Sequence, residues 1–511
     1  VVVLLFIDVK EKSRLFSLFS IMCFAGLISF VTLPTPGQWS PYYKVTMHPY
    51  IQKDSPESQT LGYYILVDRV RIQDALHFSP ALEKTSLAPW IPYYQLPYQF
   101  RAPGRTLILG GGSGNDATMA LTHGAEKVTV VEIDPVILEQ GLVTHPHRPY
   151  LDPRVRIIND DGRSFLRRDR EEYDLILMNA LDSHLQLPGL STLRLESYMY
   201  TVEAFRDVRN LMNPQSIFIV HLSSSRKWMG ERLYWTMTEA FGREPIMLST
   251  EGSPFGSVAF AMGPDGIFDG TRANFKVPVS RFRPELIRKA KNSTVLATDD
   301  WPHLYLSHPT LPKTYIIVLL LILVSAFVVF RFGTPMGKIT HHLYFFLLGA
   351  GFMLLEARSI TKAAVLFGST WIVSAVMIGS ILTVVFAANL LVWKERVKLK
   401  TSWCYAGVFT GLLLGYFVSI DFILKYDFAW RVLFVGAWLS FPIFFASILF
   451  SRAFKKEEQP HSAFGANLLG IAVGGVLEYA SLILGLQVLY LLALGIYGLA
   501  LIAARNRFLT Q

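Results

Sequence analysis

Four groups of residues have types and spacings suited to chemistry. The first is LILGGGSGNDA, Leu107 to Ala117, where Gly110, Gly112 and Gly114 let the backbone turn tightly and come close to a ligand. The second is VVEID, which sets Glu132 where a carboxylate can accept both hydroxyls of a ribose. The third is INDDGRSF, in which Asp160, Asp161 and Gly162 stand where an adenine amino group could be read. The fourth is NALDSH: Asp182 and His184 are candidates for an acid/base pair over a bound cofactor, with Arg194 and Glu196 across a loop rich in Leu, Pro and Gly. The plain alternatives are a glycine turn without a ligand, a capping aspartate and a solvated histidine.

These groups need a frame to hold them. TLILG reads as a buried parallel strand, and NDATMALTHGAEK has helical spacing, so N–H groups at a helix start face whatever lies over the glycines. VTVVEID, RVRIIN and EEYDLILMNALDSH read as three more strands, each with its polar group at the carboxyl end. That pattern puts a site at the crevice used by open α/β sheets. An adenosine-type ligand is the leading reading. A nicotinamide dinucleotide stays open, because Gly112, Gly114 and Ala117 also satisfy G-x-G-x-x-A.

In order and spacing, GGGSG, VVEIDP, DPRVRIINDDGRSFL and YDLILMNALD resemble the spermidine synthase family, whose fold is that of the class I S-adenosylmethionine-dependent methyltransferases. The resemblance runs from about Ser40 to Gly263, and WSPYYKV near Tyr42 is similar to the family's small β domain. ALDSH, TDDWPHLYL (Thr298 to Leu306) and the hydrophobic tail are similar to membrane-fused, spermidine synthase-like bacterial proteins. The resemblance implies an α/β, Rossmann-like domain with a small N-terminal β domain, fused to an all-α polytopic membrane bundle. It implies S-adenosylmethionine or its decarboxylated form as the ligand. Glu132 would bind the ribose, Asp161 with Gly162 the adenine, and Gly110, Gly112 and Gly114 would pass under the methionine-like part.

The likeness has departures. Asn179 stands where the family's D-S-S-D-P motif has its first, proton-accepting aspartate, and a carboxamide cannot accept a proton at neutral pH. Asp182 matches the second aspartate. Ser113 replaces the aspartate of G-G-G-D-G, Tyr43 stands where glutamine is usual, and no clear match exists for the tyrosine and acid that hold a polyamine.

With 511 residues, 51% of them hydrophobic and 17% charged, the chain is too apolar to be wholly soluble. Apolar runs occur at Leu15 to Leu33, Thr314 to Phe330, Ala363 to Trp393, Thr401 to Ile420, Val432 to Ser451 and Ala480 to Ala504. HLYFFLLGAGFMLLEARS and AFGANLLGIAVGGVLEYASL add two interrupted segments carrying Glu356 and Glu478. The reading is one helix before the soluble part and seven after it, with Leu343 to Leu355 the weakest. The divisions are 1–33 N-terminal membrane segment or segments, expected to be truncated; 34–100 small β-rich domain; 101–265 nucleotide-binding domain; 266–313 linker with TDDWP; and 314–511 membrane bundle. VVVLLFI reads as the tail of another helix, not a signal peptide. Asp299 and Asp300 either close the site or start a turn before Pro302.

A carboxylate at mid-bilayer costs about 2.5 kcal/mol or more, so Glu356 and Glu478 call for partners. Arg358 or Lys362 could pair with Glu356, whereas Glu478 follows Gly470, Gly474 and Gly475, which allow close helix packing. Each is open between an interfacial helix-end glutamate and a cation or proton site. Cys23 and Cys404 lie in apolar runs, which leaves no disulfide framework and no metal cluster.

The net charge of +9 does not point to nucleic acid, because basic residues gather at helix ends. KERVKLK at Lys394, SRAFKK at Ser451, and Arg505 with Arg507 read as cytoplasmic. If Leu343 to Leu355 spans fully, the soluble domain lies outside, as Lys10, Lys12 and Arg14 before the first helix also favour. If it is re-entrant, the domain lies in the cytoplasm, where an adenosyl cofactor is supplied. The second arrangement, in a bacterial inner membrane, is the expectation. The leading function is a membrane-anchored transferase passing an aminopropyl or methyl group to a small-molecule amine or lipid-soluble acceptor. A transporter-like protein sensing a nucleoside or polyamine, and a non-catalytic subunit of a membrane complex or homo-oligomer, remain open. Asn179→Asp is expected to raise a weak turnover of putrescine.

Overall fold

The computed structural model describes residues 21–26, 37–51, 60–67, 70–179, 197–222, 226–250, 257–270, 279–281, 285–289, 294–333, 339–367, 371–394, 399–418 and 421–508. The first element is a four-stranded antiparallel sheet of β1 (Gln38–Trp39), β2 (Lys44–Ile51), β3 (Thr60–Val67) and β4 (Val70–Leu76), in that order. Val45, Ile65 and Val67 turn inward and pack on Val136 and Ile137. The small sheet is thereby seated on the domain that follows, not tethered beside it.

After α1 (Trp90–Gln95), an eight-stranded sheet holds β5 (Arg105–Leu109), β6 (Lys127–Glu132), β7 (Val155–Asn159), β8 (Tyr173–Asn179), β9 (Met212–Leu222), β10 (Ile246–Thr250), β11 (Val258–Met262) and β12 (Val279–Arg281). Its order is β12-β10-β11-β9-β8-β5-β6-β7. The five strands β5 to β9 are parallel, and β10, β11 and β12 are antiparallel. Helices α2 (Asn115–Thr122), α3 (Pro135–Thr144), α4 (Gly162–Arg168), α5 (Val202–Asn210) and α6 (Lys227–Phe241) accompany it. Leu107 and Leu109 belong to one buried cluster and Ile108 to another, so the uninterrupted apolar run of β5 reflects cover on both faces. The order reverses between β5 and β8, the switch point at which such sheets bind ligands. The α/β reading is thus the fold found. The segment taken as a linker is partly sheet, since β12 pairs with β10.

The remainder is helical: α7 (Lys313–Gly333), α8 (Ile339–Phe367), α9 (Trp371–Trp393), α10 (Thr401–Phe417), α11 (Phe428–Lys455), α12 (Pro460–Leu477) and α13 (Val488–Phe508). Among the described residues, five stretches are long and apolar enough to cross a membrane: His342–Ala364, Val373–Trp393, Ala429–Lys455, Pro460–Leu484 and Val488–Arg505. Leu343 to Leu355 is not re-entrant, because α8 is one helix of 29 residues. The run from Ala363 to Trp393 is divided between α8 and α9. The run from Ala480 is broken at Gly485, whose φ of 88° suits glycine. Gly470 and Gly474 meet the backbone of Phe346 and Ala350, which lets α12 lie close against α8.

Candidate functional site

β5 ends in the glycine loop, where Gly110, Gly112 and Gly114 all have positive φ (75°, 53° and 114°). The N–H groups of Gly110 and Gly111 donate to Val131 at 2.8 and 3.1 Å, which binds the loop to β6. The Tyr150 hydroxyl lies 2.9 and 2.7 Å from the carbonyl oxygens of Gly111 and Gly112. From β4, Gln73 reaches over the loop: its Oε1 accepts from the Ser113 N–H at 3.2 Å, and a Cβ on Gly112 would collide with its amide. Ser113 itself is buried, its hydroxyl 3.5 Å from the Asp74 carbonyl oxygen. Asn115 completes the junction, donating to Asp74 at 2.7 Å and accepting from Leu76 N–H at 3.0 Å. The small sheet therefore forms one wall of the site.

Glu132 is the last residue of β6 and is buried. Its carboxylate accepts from Gly112 N–H at 2.8 Å and from Asp134 N–H at 3.0 Å, one bond to each oxygen. Burial pushes its pKa up, and these backbone bonds oppose the shift. Each oxygen keeps a further lone pair, so the group can clamp the loop and still accept from a diol. Asp161 caps α4, accepting from Ser164 N–H at 2.9 Å. Gly162 is crowded by Met199, with 3.1 Å left for a Cβ. Tyr42, on the small domain, feels Asp161, Asp134 and Glu132 together; burial and then these carboxylates push its phenol up. Asp134 caps α3 with one oxygen and keeps the other buried without a hydrogen-bond partner. Glu132, Asp134 and Asp161 thus converge beside the loop, an acceptor set able to hold a ligand with hydroxyl and amino donors such as an adenosyl group.

At the ends of β8 and β9, Asn179 and His221 are register partners. The Asn179 amide donates to the Asp116 carboxylate, and its Oδ1 lies 2.5 Å from His221 Nδ1. An amide committed to a carboxylate through Nδ2 presents only its oxygen to the ring, so Nδ1 carries the hydrogen and Nε2 the lone pair. Nε2 is buried without a hydrogen-bond partner, and the Tyr93 ring lies 4.3 Å from the imidazole, centroid to centroid. Burial pushes Asp116 up to about 7, with the Asn179 bond opposing it, and pushes His221 down to about 3. Position 179 is thus a crosspiece between a resident carboxylate and a neutral imidazole.

Asp182, His184, Arg194 and Glu196 lie outside the described residues. Gln73, Asp116, Tyr150 and His221 were missed in the sequence. A usable signal existed for two of them: Asp116 lies in the first turn of the helix after the glycines, and His221 is the last residue but one of the next strand, VHL, beside the strand-ending Asn179. Gln73 had none, because only the three-dimensional seating of β4 brings it to the loop. Tyr43 packs with the Val45 cluster. Among the described residues no group of three or more His, Cys, Asp or Glu could hold a metal ion.

The TDDWP segment belongs to the junction with the helices. Asp299 pairs with buried Arg163 at 2.9 Å and accepts from Thr201 at 2.7 Å, and Arg163 also pairs with Asp207. Asp300 accepts from Leu486 and Gln487 N–H groups, both at 2.7 Å, and Trp301 Nε1 donates to Leu482 at 2.8 Å. A turn is present, with Thr298 Oγ1 accepting from Trp301 N–H, but Asp299 ties the segment to the nucleotide domain, Asp300 ties it to the bundle, and neither closes the site. A cavity of about 480 Å³ lies elsewhere along this seam, lined by Arg167, Arg170, Asp207, Phe422 and Leu424.

The two cations expected to pair with Glu356 are engaged elsewhere. Arg358 lies over the Tyr490 ring at 5.0 Å, and Lys362 donates to the Gly415 carbonyl at 2.6 Å. Glu478 follows the last residue of α12, at the end that meets Trp301 of the soluble part.

Residues 95–233 match the spermine/spermidine synthase domain. The chain is 28% identical over 168 residues to a polyamine aminopropyltransferase of Korarchaeum cryptofilum, covering 32% of this chain and 50% of that one. It is 39% identical over 119 residues to one of Pectobacterium atrosepticum, covering 22% and 38%. The chain therefore spans about half the length of curated relatives, or less. Among solved structures, the spermidine synthase of Thermotoga maritima aligns with a TM-score of 0.33 at 17% identity, covering 56% of this chain and 86% of the other. A probable spermidine synthase of Corynebacterium glutamicum gives 0.36 at 18%, covering 52% and 96%.

Proposed function

We propose that this chain, whose central domain belongs to the spermidine synthase family, is a membrane-anchored aminopropyltransferase that takes decarboxylated S-adenosylmethionine as donor and a small amine as acceptor. The observation that carries this reading is the convergence of Glu132, Asp161 and the glycine loop at the switch point of the sheet. Glu132 would accept from the ribose, Asp161 and Gly162 would face the adenine, and Gln73 would border the chain leading to the sulfonium.

In the transfer, an amine nitrogen forms a bond to the methylene carbon next to sulfur. The carbon–sulfur bond breaks, its electrons stay on sulfur, and methylthioadenosine leaves as a neutral thioether. The nitrogen must give up a proton. Asn179 cannot take it, whereas Asp116, held against Asn179 with a pKa pushed up to about 7 by burial, is matched to that task at neutral pH. Asn179 then acts as a positioning residue, and Asp182 and His184 remain candidates from sequence.

A second reading, a domain that senses a nucleoside or polyamine, is favoured by Asn179 and Ser113 in place of acidic residues. The test uses full-length protein in mild detergent with decarboxylated S-adenosylmethionine and putrescine, following methylthioadenosine release. Slow release that depends on the amine, and falls at least tenfold in Asp116→Asn, is the expected result. Nucleoside binding without any release would replace the transferase reading by the sensing one.

A further inference from the structure

The helices that follow the soluble domain have directions set by their contacts. The end of α12 and the start of α13 meet Trp301 and Asp300, so they lie at the soluble domain's face of the bundle. α8 and α10 finish at the same face, joined where Lys362 donates to Gly415 and Val418 and where Gly415 meets Tyr490 of α13. α9 and α11 begin there, with Val373 and Val435 packed beside Phe367 and Ile423, and α7 begins there with Tyr315 against Tyr479.

Basic residues divide unequally between the two ends. Opposite the soluble domain lie Arg331, Lys394, Lys400, Arg452, Lys455, Lys456 and Arg505. At the near end, the described connections are GLQ after Leu484 and a turn where Lys425 stands between Asp421 and Asp427. Three near-end cations within helices are engaged by the bundle, Arg358 over Tyr490, Arg431 over Phe367 at 5.8 Å, and Lys362 on helix carbonyls, and Lys313 stands exposed at the start of α7. Short loops rich in Lys and Arg stay in the cytoplasm, and long domains translocate largely regardless of their own charge.

We propose that the soluble domain stands on the non-cytoplasmic face of the membrane, opposite the basic ends of the helices. Lys10, Lys12 and Arg14, ahead of the apolar run Leu15 to Leu33, give the same orientation to the sequence before it. The cytoplasmic placement expected from sequence required Leu343 to Leu355 to turn back, and α8 crosses instead. A sulfonium donor carries a fixed charge and does not pass a bilayer unaided. A transferase on that face therefore needs an export step upstream that delivers the donor, and it acts on amines outside the cytoplasm. The placement rests on helix direction and charge, not on the transferase reading.

The test uses the full chain in a bacterial membrane with Cys23→Ser and Cys404→Ala as background. Asp265→Cys, exposed on the soluble domain, and Lys394→Cys, exposed at the opposite end, each supply one thiol. In intact cells a membrane-impermeant maleimide is expected to label Asp265→Cys directly and Lys394→Cys only after permeabilisation. The reverse pattern overturns the proposal. A fluorescent protein fused after Gln511 of the unsubstituted chain should be bright. A dark fusion, with alkaline phosphatase active at the same point, also overturns it. Neither readout depends on turnover, so an inactive transferase leaves this result interpretable.

Discussion

Asn179 changes meaning once its neighbours are known. From sequence it marks a missing base, and Asn179→Asp looks like a repair. In the structure that change puts a second carboxylate against Asp116 and removes the donor that Asp116 uses. Two carboxylates in contact cannot both ionise readily, so one would hold a proton near neutrality. The single variant should therefore fail to raise putrescine turnover. The exchange Asp116→Asn with Asn179→Asp restores the amide–carboxylate bond in mirror image and should recover at least tenfold over the weaker single variant. Steady-state rates of all four forms decide this. The pH dependence has a definite sign. Asp116 is pushed up to about 7 from 3.8, so its contribution to stability is fully present below about 4 and is lost as pH rises through 7. Asp116→Asn should remove that slope and gain on the order of 1 to 3 kcal/mol above pH 7, read by chemical denaturation across pH.

At the scale of elements, the segment Thr298 to Leu306 couples the two halves. Trp301→Phe keeps the ring and loses the bond to Leu482, so it should cost about 0.5 to 1.5 kcal/mol. Gly485→Ala should cost more, because φ is 88° and a Cβ would meet the Asp300 carboxylate. Hydrogen exchange should speed up together at 298–306 and 485–487 in both variants, and exchange confined to one side would contradict a shared latch. The strands and the glycine loop were legible in sequence because β6, β7 and β8 each pair an apolar run with a polar terminus and the apolar run of β5 leads straight into glycines. The latch was not, because TDDWP looks like any turn until Arg163 and Gly485, far away in the chain, are brought to it. Gln73 was hidden for the same reason. Asp116 and His221 were readable by position and passed over, since an acid in a first helical turn and a strand-end histidine each have ordinary uses.

At the scale of the whole molecule, hydropathy disclosed the helical half, but it merged α8 with α9, because the only punctuation between them is three residues long. Helix direction could not be read from apolar runs. It followed from contacts such as Asp300 with Gln487, and those contacts turned a balanced conflict about charge into one arrangement. The proposed transfer depends first, before sidedness or catalysis, on binding of an adenosyl ligand in the crevice with Glu132 as its ribose acceptor. Calorimetry with methylthioadenosine on the full chain in mild detergent tests it most directly, with Glu132→Gln as the partner sample. Wild type should bind, and the variant should bind at least tenfold more weakly, about 1.4 kcal/mol or more for a charged acceptor lost at a buried hydrogen bond. Tight binding of a nicotinamide dinucleotide with none of the adenosyl thioether, or equal affinity in both proteins, would contradict it.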